Sequence, residues 1–301
     1  MKRKVIQLAG KTFVISLPSA WVKQWGITKG EEIELLENGP QLQITTSKAR
    51  DMKKCSVDFT NASERVIRWV LSSLHKKGYD EIEMITSSKE QEAIIDELLK
   101  DLFIGFAIIH KTAGSCIVRC LSKEFEDQFD IILRRAFLVT LSLAEQTTEL
   151  AASGKYDQLP TLATLEKNNN QLTNFCQRIL NKRGNPDATK TTFLYVITWN
   201  LEKIADEYKY LGKSLAVRKQ IGKQTLALLK ETNRLLRDYY ELFYSFDLQG
   251  LNRLATAYKK LHEDIEQLMT KEDPLHLSYL SHIVLKIADF SPSTVALHEQ
   301  R

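Results

Sequence analysis

Residues 13–35 read FVISLPSAWVKQWGITKGEEIEL, and this stretch decides the fold of the amino-terminal region. Its first residues alternate between apolar and polar, as a strand does, and Pro18 then favours the first turn of a short helix. Gly26 predicts the end of that helix, and Gly30 predicts the turn into the next strand. The stretch therefore predicts a compact strand–helix–strand module rather than an ordinary turn.

Strand patterns continue on both sides of this stretch. KVIQL precedes it, and EEIELLENGPQLQITT predicts two strands joined by a turn at residues 38–40. Residues 1–50 are therefore expected to form a small β domain.

The first 30 residues are strongly basic. They carry no acidic residue and six basic ones, which are Lys2, Arg3, Lys4, Lys11, Lys23 and Lys29. A domain of about 50 residues buries little apolar surface, and no metal or disulfide pattern is present, so we expect a homodimer through residues 1–50. A two-fold dimer would present two basic patches to a duplex with two-fold-related half-sites. On charge alone, a merely solvated basic end fits equally well.

The composition of the whole chain is that of an ordinary globular protein, with 43% hydrophobic and 27% charged residues and a net charge of +4. Its four cysteines form no Cys-x-x-Cys pair, so we expect free thiols in a reducing compartment. No apolar run reaches the roughly 18 residues of a membrane span, and no signal-peptide pattern follows the start. These features predict a cytoplasmic protein without membrane insertion.

Residues 51–123 mix strand and helix patterns. CSVDF and EIEMIT are strand-like, and SSKEQEAIIDELLKDL predicts a helix. Asn61–Glu64 has the pattern of a capping box that opens a helix through Lys77. FAIIHK and SCIVRCL predict a hairpin across residues 112–114. The region is therefore expected to be a small α+β domain, to which the sequence assigns no function.

The pattern from residue 124 to the end is helical and repeats itself. TWNLEKIAD ends at Asp206 and SHIVLKIAD ends at Asp289, 83 residues later. The agreement in helix layout favours an internal duplication, with repeats at 124–212 and 213–301. The predicted helices are 124–153, 160–183 and 187–212 in the first repeat, and 214–246, 250–271 and 275–298 in the second.

One pair of carboxylates in this region suggests a metal site. Glu202 and Asp206 are four residues apart, so both lie on one face of a helix. Oxygen ligands of this kind suit magnesium, calcium, manganese or iron. A solvated acidic face is the more common explanation of such a spacing. The second repeat has Leu285 in place of the glutamate, so only Asp289 remains there.

No catalytic motif accompanies these carboxylates. The sequence contains no Gly-x-Ser-x-Gly, His-Glu-x-x-His or phosphate-binding loop motif, and its six histidines form no close pair. We therefore expect no catalytic residues, and a metal-dependent enzyme ranks last among the possible functions.

The amino-terminal residues resemble the AbrB/SpoVT/MazE family of swapped-hairpin DNA-binding domains over residues 1–47. The order and spacing of a basic strand, a strand end of the form Ile-x-Leu-Pro, a short helix and an Ile-x-x-Gly-Glu turn carry this resemblance. The matching positions are Lys4, Val5, Gly10, Thr12, Ile15, Leu17, Pro18, Trp21, Val22, Gly26, Ile27, Lys29, Gly30 and Ile33. The resemblance implies an obligate two-fold dimer that binds double-stranded DNA. The contacts that it implies are Lys2, Arg3, Lys4, Lys11 and Lys23.

The helical half resembles PhoU, a phosphate-uptake regulator built from two three-helix repeats. The PhoU signature is an acidic residue four positions before an aspartate on the third helix of each repeat, which LEKIAD matches at Glu202 and Asp206. The resemblance implies a divalent or iron-type metal ion on this surface, with Asp289 as the ligand from the second repeat. It also implies regulation of phosphate transport through phosphate status or a partner protein.

Together these patterns predict a multidomain α+β fold. Its parts are a swapped-hairpin domain at residues 1–50, a small α+β domain at 51–123 and an all-α, PhoU-like bundle at 124–301. The favoured function is a DNA-binding transcription regulator of phosphate uptake, whose bundle senses phosphate status or a partner. The alternative is a PhoU-type adaptor that does not bind DNA and contacts a phosphate transporter or a signalling kinase.

Overall fold

A computed structural model describes residues 2–38, 40–46, 52–121 and 128–298 of the protein. The chain divides into two compact units, residues 1–52 (unit 1) and residues 53–301 (unit 2). Among the described residues, no helix is both long enough and apolar enough to span a membrane.

Unit 1 contains two antiparallel hairpins and one short helix. Its elements are β1 (Ile6–Leu8), β2 (Thr12–Val14), α1 (Ser19–Gln24), β3 (Ile33–Asn38) and β4 (Gln41–Thr46). The hairpins β1–β2 and β3–β4 are separate two-stranded sheets. The predicted strands and helical turn are therefore confirmed, although the ladder of β2 ends at Val14 rather than continuing to Pro18.

The helix α1 ends in the way that the sequence predicts. Pro18 precedes it in an extended conformation, and Gly26 follows it with a φ of +56°. The Gly26 amide donates to the Lys23 carbonyl at 3.2 Å, and the Ile27 amide donates to the Val22 carbonyl at 3.0 Å. These two bonds form a Schellman motif, which satisfies carbonyl groups that the helix itself leaves unpaired.

The described part of unit 1 buries no large apolar side chain within a single chain. Phe13, for example, is 68% exposed. The other large apolar side chains that lie exposed in this unit are Val5, Ile6, Leu8, Ile15, Leu35 and Leu42. Two short hairpins that share no apolar core are only marginally stable in water. As a single chain, the described part of unit 1 therefore has little hydrophobic stabilisation.

Unit 2 begins with a four-stranded sheet and two helices. Its elements are β5 (Lys54–Asp58), α2 (Glu64–Lys76), β6 (Glu81–Ile85), α3 (Lys89–Leu102), β7 (Phe106–Thr112) and β8 (Ser115–Cys120). The sheet order is β5-β6-β8-β7; β5 and β6 are parallel, and the other neighbours are antiparallel. All six predicted elements of this region, including the hairpin, are confirmed.

The start of α2 differs from the predicted capping box. The residue at the N-cap is Ser63 rather than Asn61, and its side chain makes no capping hydrogen bond. The chain before the helix is a turn, in which the Ala62 amide donates to the Phe59 carbonyl at 2.8 Å. Phe59 is itself anchored, because its amide donates to the Ile85 carbonyl beside it at 2.8 Å. Tertiary pairing with the sheet therefore sets this helix start.

The rest of unit 2 is a bundle of six helices in the described residues. They are α4 (Phe129–Ala152), α5 (Ala163–Arg183), α6 (Thr191–Arg218), α7 (Lys223–Tyr244), α8 (Leu248–Leu268) and α9 (Pro274–Leu297). The first three helices pack on one another as the last three do, and α6 packs along α9 at the centre. The predicted duplication into repeats at 124–212 and 213–301 stays a prediction. The predicted helix start at 124 and the domain boundary at 123 lie outside the described residues.

The bounds of the third and fourth bundle helices differ from the predicted 187–212 and 214–246. The helix α6 continues through Gly212 to Arg218, where Lys219 adopts a left-handed conformation with a φ of +50°. Residues 214–218 therefore belong to α6, and the next helix begins only at Lys223. Gly212 is buried inside the helix, where packing overrides its weak propensity to end one.

An arginine in the bundle anchors the sheet layer. Arg178 of α5 is fully buried, and its guanidinium donates to the carbonyls of His75 at 3.1 Å and Tyr79 at 2.6 Å. It also donates to the Asp80 carboxylate at 2.6 Å, and it lies 5.1 Å from the centre of the Phe106 ring. The predicted middle domain is thus joined to the helical bundle in one compact unit.

Asp80 is held from several sides. Lys182 donates to the same carboxylate oxygen at 2.6 Å, and the Lys53 amide donates to the other oxygen at 3.1 Å. Burial by itself raises the pKa of Asp80, but these hydrogen bonds and the charges of Lys182 and Arg178 lower the pKa below its usual value. The carboxylate therefore stays ionised and completes the anchor.

Arg178→Met should destabilise the protein by about 3 kcal/mol, because it removes one partner of a buried ion pair and leaves carbonyl groups without a donor. The measurement is urea unfolding followed by circular dichroism. The control is Arg237→Met, which removes an exposed ion pair with Glu145 and should cost less than about 1 kcal/mol. Equal destabilisation of the two variants would contradict the anchoring role.

Candidate functional site

The five residues predicted to contact DNA are all exposed in unit 1. Lys2, Arg3 and Lys4 precede β1, Lys11 lies in the turn between β1 and β2, and Lys23 lies on α1. None of the five forms an ion pair with a described residue. Their positive charges are therefore available to an external anion.

The turn that carries Lys11 has an unusual backbone. Ala9 has a φ of +48° and Gly10 a φ of +75°, so both residues are in the left-handed region. A left-handed alanine costs about 1 kcal/mol. The turn is held by the Lys11 amide, which donates to the Leu8 carbonyl at 3.3 Å, and by the Gln7 side chain, which donates to the Gly10 carbonyl at 2.9 Å. Lys11 is thus presented at the tip of the hairpin.

The chemistry of these side chains suits a phosphate backbone more than a base edge. Lysine binds phosphate as a point charge, and neutralised phosphates supply affinity that falls with salt. Arginine makes the bidentate contact that identifies guanine, and Arg3 is the single arginine among the five residues.

The predicted metal face on α6 is occupied by lysines. The Lys203 ammonium donates to Glu202 at 3.2 Å and to Asp206 at 3.1 Å. The Lys209 ammonium donates to Asp206 at 2.6 Å and to Glu166 of α5, also at 2.6 Å. The two carboxylates of the predicted site are therefore bridged by cationic side chains of their own helix.

The pKa shifts in this cluster favour charged groups. Burial by itself raises the pKa of Asp206, but the hydrogen bonds and charges of Lys209 and Lys203 bring it below its usual value. Burial likewise opposes the charge on Lys209, yet its hydrogen bonds to Asp206 and Glu166 raise its pKa overall. Each carboxylate thus keeps an ammonium partner at neutral pH.

The second repeat does not complete a metal site. Asp289 is exposed on α9, and its side chain makes no hydrogen bond or ion pair with a described residue. Across the described part of the chain, no three histidine, cysteine, aspartate or glutamate side chains converge in a way that could hold a metal ion. The residues that the structure brings together at Glu202 and Asp206 therefore do not fit a metal.

Sequence reasoning missed the contacts between α6 and α9 beside this face. Glu207 of α6 accepts from Lys286 of α9 at 3.0 Å and lies 3.3 Å from the His282 ring nitrogen. The spacing of Lys203 and Lys209, each three residues from Asp206, was a signal that could have revealed the lysine bridges. The contact with α9 had no local signal, because it depends on how the helices pack.

One family model matches the chain, at residues 6–51. Its description is Antidote-toxin recognition MazE, bacterial antitoxin. The match confirms a MazE/AbrB-like domain at the amino terminus, as the resemblance implied. No curated protein and no solved structure matches the chain. The resemblance of the helical half to PhoU therefore stays a prediction.

The full-length protein should retain no more manganese or iron than its Glu202→Ala variant, because lysine ammonium groups occupy the carboxylates that a metal would need. Both proteins would be incubated with each metal, passed through a desalting column and measured by mass spectrometry with an inductively coupled plasma source. Stoichiometric metal in the wild type that disappears in Glu202→Ala would contradict this expectation.

Proposed function

We propose that the protein is a dimeric, DNA-binding transcription regulator, in which unit 1 binds operator DNA. The observation that carries this proposal is the set of exposed apolar side chains in the described part of unit 1, which coincides with the MazE family match at residues 6–51. A MazE/AbrB-like domain is compatible with such a regulator. Its five exposed basic residues, which form no ion pair with a described residue, supply the charge that DNA phosphates attract.

Dimerisation follows from the exposed apolar side chains of unit 1. Burying one large apolar side chain stabilises by about 1.5–3 kcal/mol, so covering several of them against a second chain would stabilise this unit substantially. A two-fold dimer also doubles the basic surface and sets the spacing of two half-sites.

The helical part of unit 2 is proposed to sense phosphate status or a partner protein. This part of the proposal rests on the resemblance of LEKIAD to the PhoU signature at Glu202 and Asp206. Because lysines bridge these carboxylates, we propose that the sensing uses phosphate or a protein directly. We propose no catalytic role for these carboxylates, which have ammonium partners and no accompanying nucleophile.

A second candidate function is an adaptor for a phosphate transporter or a signalling kinase. The observation that favours it is the exposure of Trp199 on α6 and Leu285 on α9, which are 46% and 42% exposed on two helices that pack together. Exposed aromatic and aliphatic side chains often mark protein interfaces. Deleting residues 1–50 distinguishes the two functions, because an adaptor would keep its partner and its phosphate response.

The full-length protein should be a dimer, with twice the 34.6 kDa mass of one chain. Phe13→Asp/Leu42→Asp should make it monomeric, because each carboxylate would have to be buried without a partner. Leu248→Asp is the matched control, since Leu248 is equally exposed but belongs to unit 2. Sedimentation equilibrium at micromolar concentration measures the mass, and a monomeric wild type would contradict the proposal.

The wild type should bind duplex DNA with an affinity that falls steeply with salt. Arg3→Glu/Lys4→Glu should weaken binding to all duplexes and reduce the magnitude of the slope of log K against log salt by at least about 1. The control Lys259→Glu/Lys260→Glu changes two exposed lysines of α8. Mobility-shift titrations with a duplex selected from a random-sequence pool measure both quantities. Absence of binding, or binding without salt dependence, would refute DNA recognition by unit 1.

A further inference from the structure

A cluster of lysines lies where α2 ends and unit 2 begins. Lys53 immediately precedes β5, Lys76 and Lys77 lie at the end of α2, and Lys182 lies in the last turn of α5. The Lys53 ammonium donates to the Lys77 carbonyl at 3.2 Å, and a Cβ on Gly78 would lie 3.1 Å from the Lys182 Cβ. We term these four lysines the α2-end patch.

The helix end does not account for all of these charges. Cationic side chains near a helix C-terminus ordinarily compensate its unpaired carbonyls and its dipole. Here Arg178, Asn181 and Lys53 already donate to the three successive carbonyls of residues 75–77. The exposed ammonium of Lys77 is therefore in excess of what the helix end uses.

The acidic groups near the patch do not neutralise its exposed part. Asp80 is buried, where two cationic side chains of α5 hold it. The Lys76 ammonium lies 3.9 Å from the Glu202 carboxylate. Lys53 and Lys77 are exposed, and neither forms an ion pair with a described residue. The Lys53 ammonium also lies 4.5 Å from the centre of the Tyr79 ring, a contact that leaves its charge unneutralised. Both positive charges thus have no carboxylate partner among the described residues.

The position of the patch in the chain suggests its partner. Lys53 is the first residue of unit 2 and follows unit 1 directly in the chain. Any DNA that unit 1 binds is therefore held at a high effective concentration near the patch. The buried Arg178 network fixes the helix end, so the two exposed ammonium groups are carried on a rigid element.

We propose that the α2-end patch makes a second contact with the DNA backbone, through Lys53 and Lys77. This depends on the proposed function, because unit 1 must first bind a duplex. Phosphate contacts carry no base identity, so the patch adds affinity and salt dependence without adding sequence preference.

The test uses the full chain and a duplex that the wild type binds, with affinity measured by fluorescence anisotropy over a salt series. Lys53→Ala/Lys77→Ala should weaken binding to every duplex and lower the magnitude of the salt slope by about 1 for each phosphate that the variant no longer binds. Lys53→Arg/Lys77→Arg keeps both charges and should keep the wild-type slope. Lys259→Ala/Lys260→Ala, which removes two exposed lysines from α8, should also keep it.

The possible outcomes separate this proposal from the proposed function. If the salt slope of Lys53→Ala/Lys77→Ala equals that of the wild type, the proposed contact between the α2-end patch and DNA is wrong, whereas DNA binding by unit 1 still stands. A wild type that binds no duplex overturns both. If circular dichroism shows that the double variant is unfolded, the single variant Lys77→Ala tests the proposal instead. Its folding should be unaffected, because the Lys77 side chain makes no hydrogen bond or ion pair with a described residue. The magnitude of the salt slope of Lys77→Ala should fall by about 1, and an unchanged slope would contradict the proposed DNA contact.

Discussion

The buried guanidinium of Arg178 is the interaction on which the arrangement of unit 2 depends. A charge in the protein interior is costly unless ion pairs and hydrogen bonds replace its water, and here Asp80 and two carbonyls do so. The requirement is directional, because the guanidinium must meet the end of α2 and the start of β6 together. His75 beside it has a pKa well below its usual value, owing first to burial and then to the charge of Arg178. It therefore adds no second buried charge.

The lysines of α6 and the basic residues of unit 1 lie in different electrostatic surroundings. In unit 2 the lysines of α6 lie between carboxylates, and Lys209 also ties α6 to Glu166 of α5. In unit 1 the five basic residues predicted to contact DNA have no such partners among the described residues. Basic side chains without carboxylate partners attract phosphate, whereas lysines paired with carboxylates connect neighbouring helices. This contrast is why we propose nucleic-acid binding for unit 1 and not for the acidic face of the bundle.

The described part of unit 1 has well-formed local structure but no buried large apolar side chain. Its turns and helix ends are well formed, with the Schellman motif after α1 and the left-handed turn before Lys11. Seven large apolar side chains nevertheless lie exposed, and the others that the structure describes are only partly buried, because two short hairpins in one chain provide no opposite face to cover them. Local hydrogen bonds define the shape of this unit, and association with a second chain is the natural source of its hydrophobic stabilisation.

Local chemistry made much of the architecture predictable. Proline and glycine at 18 and 26 bound α1 because their backbone preferences act within one or two residues, and periodic apolar residues revealed the strands of the sheet and all six bundle helices. The sequence likewise determined that Glu202 and Asp206 share a face. Only the tertiary structure decided that lysines fill this face, that α2 begins at Glu64, and that Arg178 joins the sheet to the bundle. Those outcomes depend on contacts between residues far apart in the chain, and a local sequence pattern does not reveal which distant residues will meet.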